Sequence, residues 1–372
     1  MTYDETLRIL RVATDLYPEQ LGGGALHAHM MSKRQAEAGH DVTVLTSGHD
    51  DRSIATHAER DGYEIIRNQE LIKLFGNSIT PGTVRSLQSR LTDYDVVHAH
   101  SHLYFSTNVA AVLRRVSDTP LVVTNHGLVS QTAPGIVQRV YLPTVGRFTF
   151  NSADRVLCYT ETDRDRLQNQ KITAPISVVH NGIDCSTFRP IDSHSAKPQL
   201  LYVGRLKESK GVHRIIAAFE KLQHEHPELT LTIVGEGPMG KTLEDLCDES
   251  GIADRVEFRG EVPNEQLPEV YSESRVFVLP SDAEGLPRTV LESLACGTPV
   301  VTSDLPQLES VVSGCGYRVN PESIDDLATA IERLVTDEET YREFRDRGRS
   351  RVESEYSWAE TVRETTAIYR EL

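Results

Sequence analysis

Two carboxylates eight residues apart flank the start of a predicted helix. Residues 284–292 are EGLPRTVLE, with Glu284 first, Glu292 last and Pro287 where a helix commonly begins. Ionised carboxylates accept hydrogen bonds from hydroxyl groups, and a helix N-terminus attracts phosphate. The two carboxylates could therefore bind hydroxyls from two parts of one phosphate-containing ligand. The alternative is a helix with one loop glutamate and one glutamate at the border of its buried face.

Glycine-rich and basic turns follow two other predicted strands. The triplet Gly22-Gly23-Gly24 precedes a predicted helix, and glycines let backbone N–H groups approach a phosphate. In VGRLKESKG, Arg205 and Lys210 stand five residues apart, so a guanidinium and an ammonium group could hold a diphosphate together. The alternatives are a flexible loop for the glycines and two solvated charges for the basic pair.

A third turn, GEGPMG, has the form of a dinucleotide-binding fingerprint. Its glycines are Gly235, Gly237 and Gly240, and Glu257 lies on the next predicted strand. This match supports a rival hypothesis, a nicotinamide or flavin oxidoreductase. Against it, the motif opens the second strand–helix turn of its domain rather than the first, and a proline and a methionine occupy the turn.

Histidines mark two further strand ends. His126 follows the apolar run LVVTN and precedes a glycine, so it either faces a ligand at the carboxyl end of a buried strand or is a hydrogen-bonded loop histidine. His98, His100 and His102 alternate, which could place all three on one face. A metal site there would need further ligands, and no convincing carboxylate partner is apparent. Polar residues where a strand leaves the sheet are the favoured explanation.

The elements that must position these residues alternate between strands and helices. Continuous Val/Ile/Leu runs indicate strands covered on both faces, as in a parallel sheet between helices. The pattern restarts after the turn-rich stretch 188–199, which predicts two doubly wound α/β domains. Ligands of such sheets bind at the carboxyl ends of strands, where the motifs above lie. Two such domains facing each other would form a deep cleft.

Composition limits the classes of function. The 372 residues suffice for two domains, and a net charge of −16 disfavours nucleic acid as a partner. Five widely spaced cysteines, the absence of a long apolar run and the lack of a signal-peptide pattern favour a cytoplasmic protein with free thiols. Acidic residues outnumber basic ones 55 to 39, and few of the basic residues are lysine, as in halophilic proteins. We therefore expect higher stability in molar than in low salt.

One stretch departs from the acidic average. Residues 71–155 contain eight Lys or Arg and four Asp or Glu. Within it, segment 128–151 mixes apolar residues with Arg139 and Arg147. The stretch could bind an anionic or lipid-linked acceptor, or contact an anionic membrane surface peripherally. Chance segregation of charge on solvated helix faces and ordinary helix packing are the alternatives.

Taken together and in this order, the motifs resemble the family 4 retaining glycosyltransferases, which have the GT-B fold. The resemblance covers nearly the whole chain. It implies an N-terminal Rossmann-like acceptor-side domain over 1–187, a C-terminal nucleotide-sugar-binding domain over 188–355, and a last helix, 356–372, that crosses back to the first domain. The residues that carry it are LGGGALHAHMMSKRQAEAGHDVTVLT, DVVHAHSH, VVTNHG, VVHNGID, YVGRLKESKG, IVGEGP, FRGEV, LPSDAEGLPRTVLESLACGTPVVTS and SGCGYRVNP.

The resemblance also implies a role for each matched residue. His126 and Glu284 are the implied catalytic residues: both would contact the transferred sugar, with His126 near the reacting carbon. Glu292 would bind the ribose hydroxyls. Arg205 and Lys210 would hold the diphosphate. The chain has Leu286 where an aromatic residue is common, which leaves the choice of sugar open. The remaining donor-binding positions implied are Gly22, Gly23 and Gly24 at the phosphates and sugar, Gly235, Glu261 and Val262 at the nucleoside, and Gly285, Leu286 and Pro287 beside Glu284.

The implied activity is transfer of a hexose from a nucleotide-diphosphate sugar to a hydroxyl acceptor with retention of configuration. UDP- and GDP-sugars are the favoured donors, and the acceptor could be a lipid-linked or cell-surface glycan precursor. The protein is expected in the cytoplasm and could lie at the cytoplasmic face of a membrane. No cofactor and no metal are expected, because basic side chains would stabilise the leaving diphosphate. The alternatives are a nucleotide-sugar sensor without turnover, a related phosphorylase or epimerase, and the oxidoreductase.

Overall fold

The computed structural model describes residues 6–20, 22–48, 56–128, 133–191 and 197–372. The chain divides into two compact units, Met1–His180 with Thr361–Leu372, and Asn181–Glu360. The stretches 129–132 and 192–196, which belong to the segment 128–151 and to the turn-rich stretch considered above, lie outside the described residues.

Unit 1 contains an eight-stranded sheet in the order β10-β9-β8-β7-β1-β2-β4-β3. All of its pairings are parallel except β3 with β4 at the edge. The elements are β1 Arg8–Val12, α1 Gly23–Glu37, β2 Asp41–Gly48, β3 His57–Arg60, β4 Tyr63–Gln69, β5 Ile72–Leu74, β6 Asn77–Ile79, α2 Pro81–Gln88, β7 Val96–His100, α3 Phe105–Arg114, β8 Leu121–Thr124, α4 Gly135–Tyr141, a π-helical turn Leu142–Gly146, α5 Arg147–Asn151, β9 Arg155–Cys158, α6 Glu161–Asn169 and β10 Ile176–Val178.

Alternating side chains of the central strands enter two separate apolar cores. In β1, Ile9 belongs to one core, whereas Leu10 and Val12 belong to the other. Successive residues of a strand point to opposite faces, so both faces of this sheet are covered. The apolar runs in the sequence therefore report a sheet buried on both sides, as predicted.

Unit 2 contains a six-stranded parallel sheet in the order β13-β12-β11-β14-β15-β16, packed in a single large core. The order reverses between β11 and β14, which makes the point between their carboxyl ends the expected ligand site. The elements are β11 Lys197–Val203, α7 Val212–Leu222, β12 Thr230–Val234, α8 Gly240–Glu249, β13 Val256–Gly260, α9 Leu267–Glu273, β14 Ser274–Leu279, α10 Arg288–Ala295, β15 Val300–Ser303, α11 Glu309–Val312, β16 Gly316–Val319, α12 Ile324–Thr336, α13 Glu338–Glu355 and α14 Trp358–Arg370.

The chain crosses between the units twice, after His180 and again inside α14. The first three residues of α14 belong to unit 2, and the rest, from Thr361, belongs to unit 1. The sequence prediction placed the domain boundary at 187/188 and began the last segment at 356. None of the described helices is both long enough and apolar enough to cross a membrane.

Every predicted strand is present, but several short elements were not predicted. They include the hairpin β5–β6, whose first strand is exposed along its length, and the seven-residue helix α9. Neither has an apolar run of the length that indicates a buried strand or a long amphipathic helix. β3, β16 and α11 were also missed, and each is only four residues long.

Candidate functional site

Two predicted donor-binding residues meet at the switch point of the unit 2 sheet. Lys210 ends a 3-10 turn after β11, and Glu284 lies in the loop after β14. Lys210 Nζ donates to Glu284 Oε1 at 2.6 Å, and the Glu284 side chain is only 10% exposed. The contact follows from topology, because β11 and β14 are neighbours and their loops leave the same edge of the sheet.

The backbones of these two loops are also held together. Asp282 N–H donates to the Ser209 carbonyl at 2.9 Å. Gly211 has a φ of 68°, and a Cβ there would lie 2.3 Å from the Pro280 carbonyl oxygen. Only glycine accommodates both the left-handed backbone and this close approach. The Lys210–Glu284 pair is thus built on a fixed crossing of two loops rather than on two free side chains.

Arg205 and the Glu284 backbone complete this edge. Arg205 is exposed on the same turn as Lys210, and its carbonyl accepts a hydrogen bond from the Tyr202 hydroxyl at 3.0 Å. Gln307 donates through Nε2 to the Glu284 carbonyl at 2.5 Å. Positive charge and a carboxylate therefore stand side by side at the switch point, the combination that a phosphate and a hydroxyl-bearing group would need.

Glu292 occupies a different environment. It lies on α10, is 4% exposed, and accepts from the Tyr271 hydroxyl at 3.2 Å, with Arg288 Nε 3.5 Å from its other oxygen. Burial raises the pKa of Glu292, against the opposing effect of Arg288 and Tyr271. The structure does not join Glu292 to the Lys210–Glu284 pair by a hydrogen bond: among the described residues, its polar partners are Tyr271 and Arg288.

Two glycines of GEGPMG allow its turn to pack closely against a neighbouring turn. A Cβ at Gly235 would lie 2.0 Å from the Gly204 carbonyl oxygen, and one at Gly237 would lie 2.3 Å from that of Leu206. The motif is therefore pressed against the first strand–helix turn of its own sheet. Glu257, the acid that the oxidoreductase hypothesis needs for a ribose, is exposed and pairs with Arg259 at 2.9 Å.

Two of the three predicted nucleoside-side residues line a cavity beside the edge strand β13, and Gly235 does not. Glu261 and Val262 contribute to a cavity of about 570 Å³. Its walls also carry Glu257, Glu269 and Glu273, with Arg259 as the basic residue. This concentration of carboxylates would repel a diphosphate, which agrees better with the basic edge after β11 as the phosphate position.

In unit 1, the glycine turn and His126 come together. Gly24 lies in the first turn of α1, and a Cβ on it would be 3.7 Å from His126 Nδ1. His126 Nδ1 is 2.9 Å from the Tyr159 hydroxyl, and its Nε2 is 2.9 Å from His100 Nδ1. Desolvation lowers the pKa of His126 to about 4, so the ring is neutral at physiological pH. A hydroxyl that binds this imidazole must share or displace one of its two partners.

The alternating histidines divide into two environments. His98 and His100 stack at 4.6 Å, and His98 Nδ1 is 2.5 Å from the hydroxyl of Tyr369 on α14. Tyr369 also accepts from the buried guanidinium of Arg11 at 3.4 Å. His102 packs instead on Phe150. Across the described parts of the chain, the group of three residues with metal-ligand spacing is Glu225, His226 and Glu332, which includes none of these histidines.

Buried His102 should make the free energy of unfolding of unit 1 decrease at acidic pH. Both of its ring nitrogens are buried without a hydrogen-bond partner among the described residues, and burial lowers its pKa to about 4. The unfolded chain binds this proton near pH 6.5. Stability is therefore lost as the pH falls from about 6.5 towards 4, because the unfolded state holds more protons in that range.

We expect His102→Phe to remove this contribution. Between pH 7.5 and pH 5, the variant should lose about 2 kcal/mol less unfolding free energy than the wild type. Denaturant unfolding at the two pH values measures the difference. The same pH dependence in both proteins would contradict the assignment.

Sequence reasoning missed several residues that hold the predicted ones. Tyr159 follows β9 at the same sheet edge as His126, so the strand-end rule that selected His126 could have found it. Arg288 stands four residues before Glu292 on one helix, which is a recognisable ion-pair spacing. Tyr271 and Gln307 come from elements distant in sequence, and no local signal indicates them.

Comparison with known proteins gives consistent matches along the chain. The sequence pattern of the family Glycosyltransferase Family 4 matches residues 21–187, and that of Glycosyl transferases group 1 matches residues 186–351. A glycogen synthase of Mycobacterium tuberculosis is 30% identical, with 98% of this chain and 94% of the relative covered.

Solved structures match over the same length. Sucrose-phosphate synthase from Thermosynechococcus elongatus superposes with a TM-score of 0.80 at 24% identity, covering 98% of both chains. HepE from Anabaena, solved in complex with UDP, gives a TM-score of 0.80 at 18% identity, covering 98% of this chain and all of the other.

Proposed function

This chain belongs to glycosyltransferase family 4, the group 1 glycosyl transferases, and from that premise we propose that it moves a hexose from a UDP- or GDP-sugar to an acceptor hydroxyl with retention of configuration. It is a hexosyltransferase-type glycosyltransferase, and its two units have the Rossmann-like sheets of the GT-B fold. The donor class, the acceptor and the retention of configuration are the parts that the proposal adds.

The Lys210–Glu284 pair is the observation that carries the proposal. A nucleotide sugar has an anionic diphosphate bonded to a hydroxyl-rich ring, and the switch point offers a cation and a buried carboxylate 2.6 Å apart. On binding, the anionic diphosphate would form ion pairs with Lys210 and with Arg205 on the same turn. The sugar hydroxyls would donate to Glu284, so that the bond to be broken lies between the two groups.

The same groups suit the chemistry. Cleavage of the anomeric carbon–oxygen bond leaves positive charge on the sugar and negative charge on the diphosphate. Lys210 and Arg205 would stabilise the departing phosphate, which is a preorganised electrostatic contribution. We propose that the acceptor attacks from the face that the phosphate leaves, and that a phosphate oxygen takes the acceptor proton. No protein nucleophile and no divalent metal are assigned in this scheme.

The remaining matched residues are proposed to position the donor. His126, a neutral imidazole, would contact the transferred sugar, with Gly22, Gly23 and Gly24 near the phosphates and sugar. Glu292 would bind the ribose, and Gly235, Glu261 and Val262 would border the nucleoside. The backbone of Gly285, Leu286 and Pro287 would lie beside the sugar.

The donor assignment is tested by a thermal-shift screen on wild type and Glu292→Gln. UDP-, GDP- and ADP-sugars are compared with NAD and NADP, in low and in molar salt. We expect one sugar-nucleotide class to raise the Tm of the wild type, and Glu292→Gln to weaken its binding by about 10- to 100-fold, the loss of a hydrogen bond to a charged group.

Glutamine keeps an oxygen for Tyr271 and removes a buried charge, so the unliganded variant should melt close to the wild type. Tyr271→Phe is the matched control, because it disturbs the surroundings of Glu292 by removing the hydrogen bond from Tyr271 and leaves the carboxylate for the ribose. A shift with NAD or NADP alone would overturn the glycosyl-donor proposal and restore the oxidoreductase alternative.

A further inference from the structure

Exposed apolar side chains are concentrated in two segments of unit 1. Among the described residues, nine of the thirteen exposed large hydrophobic side chains lie in 71–79 and 135–151. The first segment contains the β5–β6 hairpin, with Leu71 74% and Phe75 56% exposed. The second is the helical stretch α4–α5, with Ile136 75% and Val140 61% exposed. A surface this rich in apolar groups commonly marks an interaction site.

The two segments adjoin the same turn. Asn77 of the hairpin donates through Nδ2 to the Leu103 carbonyl at 3.0 Å. The Tyr141 hydroxyl of α4 reaches the same carbonyl at 3.5 Å and the His102 carbonyl at 3.0 Å. Hairpin and helix therefore flank the turn 101–104 and form one surface, which we call the docking face (residues 71–79 and 135–151).

The charge of the docking face is opposite to that of the chain. It contains Lys73, Arg139 and Arg147 and no acidic residue, whereas the whole chain carries −16. Within the described residues, none of these three side chains has a carboxylate within ion-pair distance. Basic side chains without ion-pair partners, set among exposed apolar side chains, are complementary to a partner whose outer layer is anionic and whose interior is apolar.

The docking face also begins beside the sheet edge that holds His126. The turn 101–104 follows β7, whose last residue, His100, is 2.9 Å from His126 Nε2. A surface bound at the docking face would therefore approach the edge of the sheet that holds His126.

We propose that the docking face binds an anionic lipid bilayer peripherally and thereby presents a lipid-borne acceptor hydroxyl near His126. The claim that the chain binds a bilayer rests on the docking face alone. The claim that this binding presents an acceptor rests on the proposed function. Apolar side chains of the hairpin and of α4 would enter the headgroup region, while Lys73, Arg139 and Arg147 would contact lipid phosphates. A second copy of this chain is a poorer occupant, because its docking face would carry the same positive charge.

The test is flotation of the full chain with vesicles of phosphatidylcholine, with and without phosphatidylglycerol. We expect the wild type to float with phosphatidylglycerol vesicles and to bind pure phosphatidylcholine much more weakly. Lys73→Gln with Arg139→Gln should lower affinity for the anionic vesicles about 30-fold, at roughly 1 kcal/mol per basic residue. Phe75→Ser with Ile136→Ser should leave most of the protein in the bottom fraction.

Val116→Ser is the matched control, since Val116 is 83% exposed but lies outside the docking face; it should float like the wild type. Wild-type protein that stays at the bottom, equal binding to both vesicle types, or double variants that float normally would each overturn the proposal. The proposal would also be overturned if the wild type did not float and light scattering showed it to be a dimer that Phe75→Ser with Ile136→Ser abolishes.

Failure of this inference can be told from failure of the proposed function. The docking-face variants should keep the wild-type thermal shift with the nucleotide sugar, because the docking face contains none of the residues proposed to contact the donor. Flotation without any sugar-nucleotide shift would leave the membrane surface standing and remove the donor proposal. A sugar-nucleotide shift without flotation would support the donor proposal and overturn the membrane proposal.

Discussion

Lys210→Met is expected to lower kcat/KM for sugar transfer by about 10²- to 10³-fold, the effect of removing one preorganised charge from a transition state. Lys210 Nζ is held 2.6 Å from Glu284 on a rigid crossing of two loops, so its charge is already in place when the phosphate departs. Methionine keeps most of the side-chain volume and removes only the ammonium group. Steady-state kinetics with the donor identified by thermal shift gives the comparison.

Two controls separate the charge from the fold. Lys207→Met removes an exposed lysine from the same turn and should change kcat/KM by less than about threefold, as expected of a surface charge. Lys210→Met with Glu284→Gln removes both members of the ion pair, and the unliganded Tm of this double variant against that of Lys210→Met shows how much the unpaired carboxylate alone destabilises the fold. If Lys210→Met and Lys207→Met had equal activity, the phosphate role of Lys210 would be refuted.

Gly235→Ala is expected to destabilise unit 2 by about 3–5 kcal/mol. Its backbone has a φ of 124°, and the new Cβ would lie 2.0 Å from the Gly204 carbonyl oxygen. Backbone strain and overpacking each contribute roughly 1–3 kcal/mol, and neither atom is at the flexible end of a side chain. Denaturant unfolding followed by the fluorescence of Trp358, the single tryptophan, reports on this unit.

The same motif provides the control. Gly240 begins α8, has no positive φ, and a Cβ there would make an ordinary contact of 3.7 Å with a Leu206 methyl group. Gly240→Ala should therefore leave stability within about 0.5 kcal/mol of the wild type. Equal losses for the two variants would contradict the packing explanation of GEGPMG.

The sequence predicts the two large sheets well because each of them is buried on both faces. Apolar runs such as LVVT and LLYVG can then be recognised without knowledge of their partners. The meeting of Lys210 and Glu284 was also predictable in outline, since both follow strands of one parallel sheet. What could not be predicted was which strands are neighbours, and hence that these two side chains pair directly.

Residues that belong to a site but come from other parts of the sequence could not be predicted in this way. Tyr271, which donates to Glu292, lies on α9, a seven-residue helix with a proline at its second position and no long apolar period. The β5–β6 hairpin escaped because its side chains are exposed, so no burial pattern marks them. Its exposed apolar groups are informative only when their position beside α4 is known.

The division within α14 has a consequence for biosynthesis. Tyr369, from the part of α14 that belongs to unit 1, supplies the hydroxyl partner of buried His98 and Arg11. Until that residue leaves the ribosome, the unit translated first lacks a buried hydrogen-bond partner, whereas all of unit 2 has already been made. Unit 1 can therefore be completed only after all of unit 2 has been translated, although most of unit 1 is translated first.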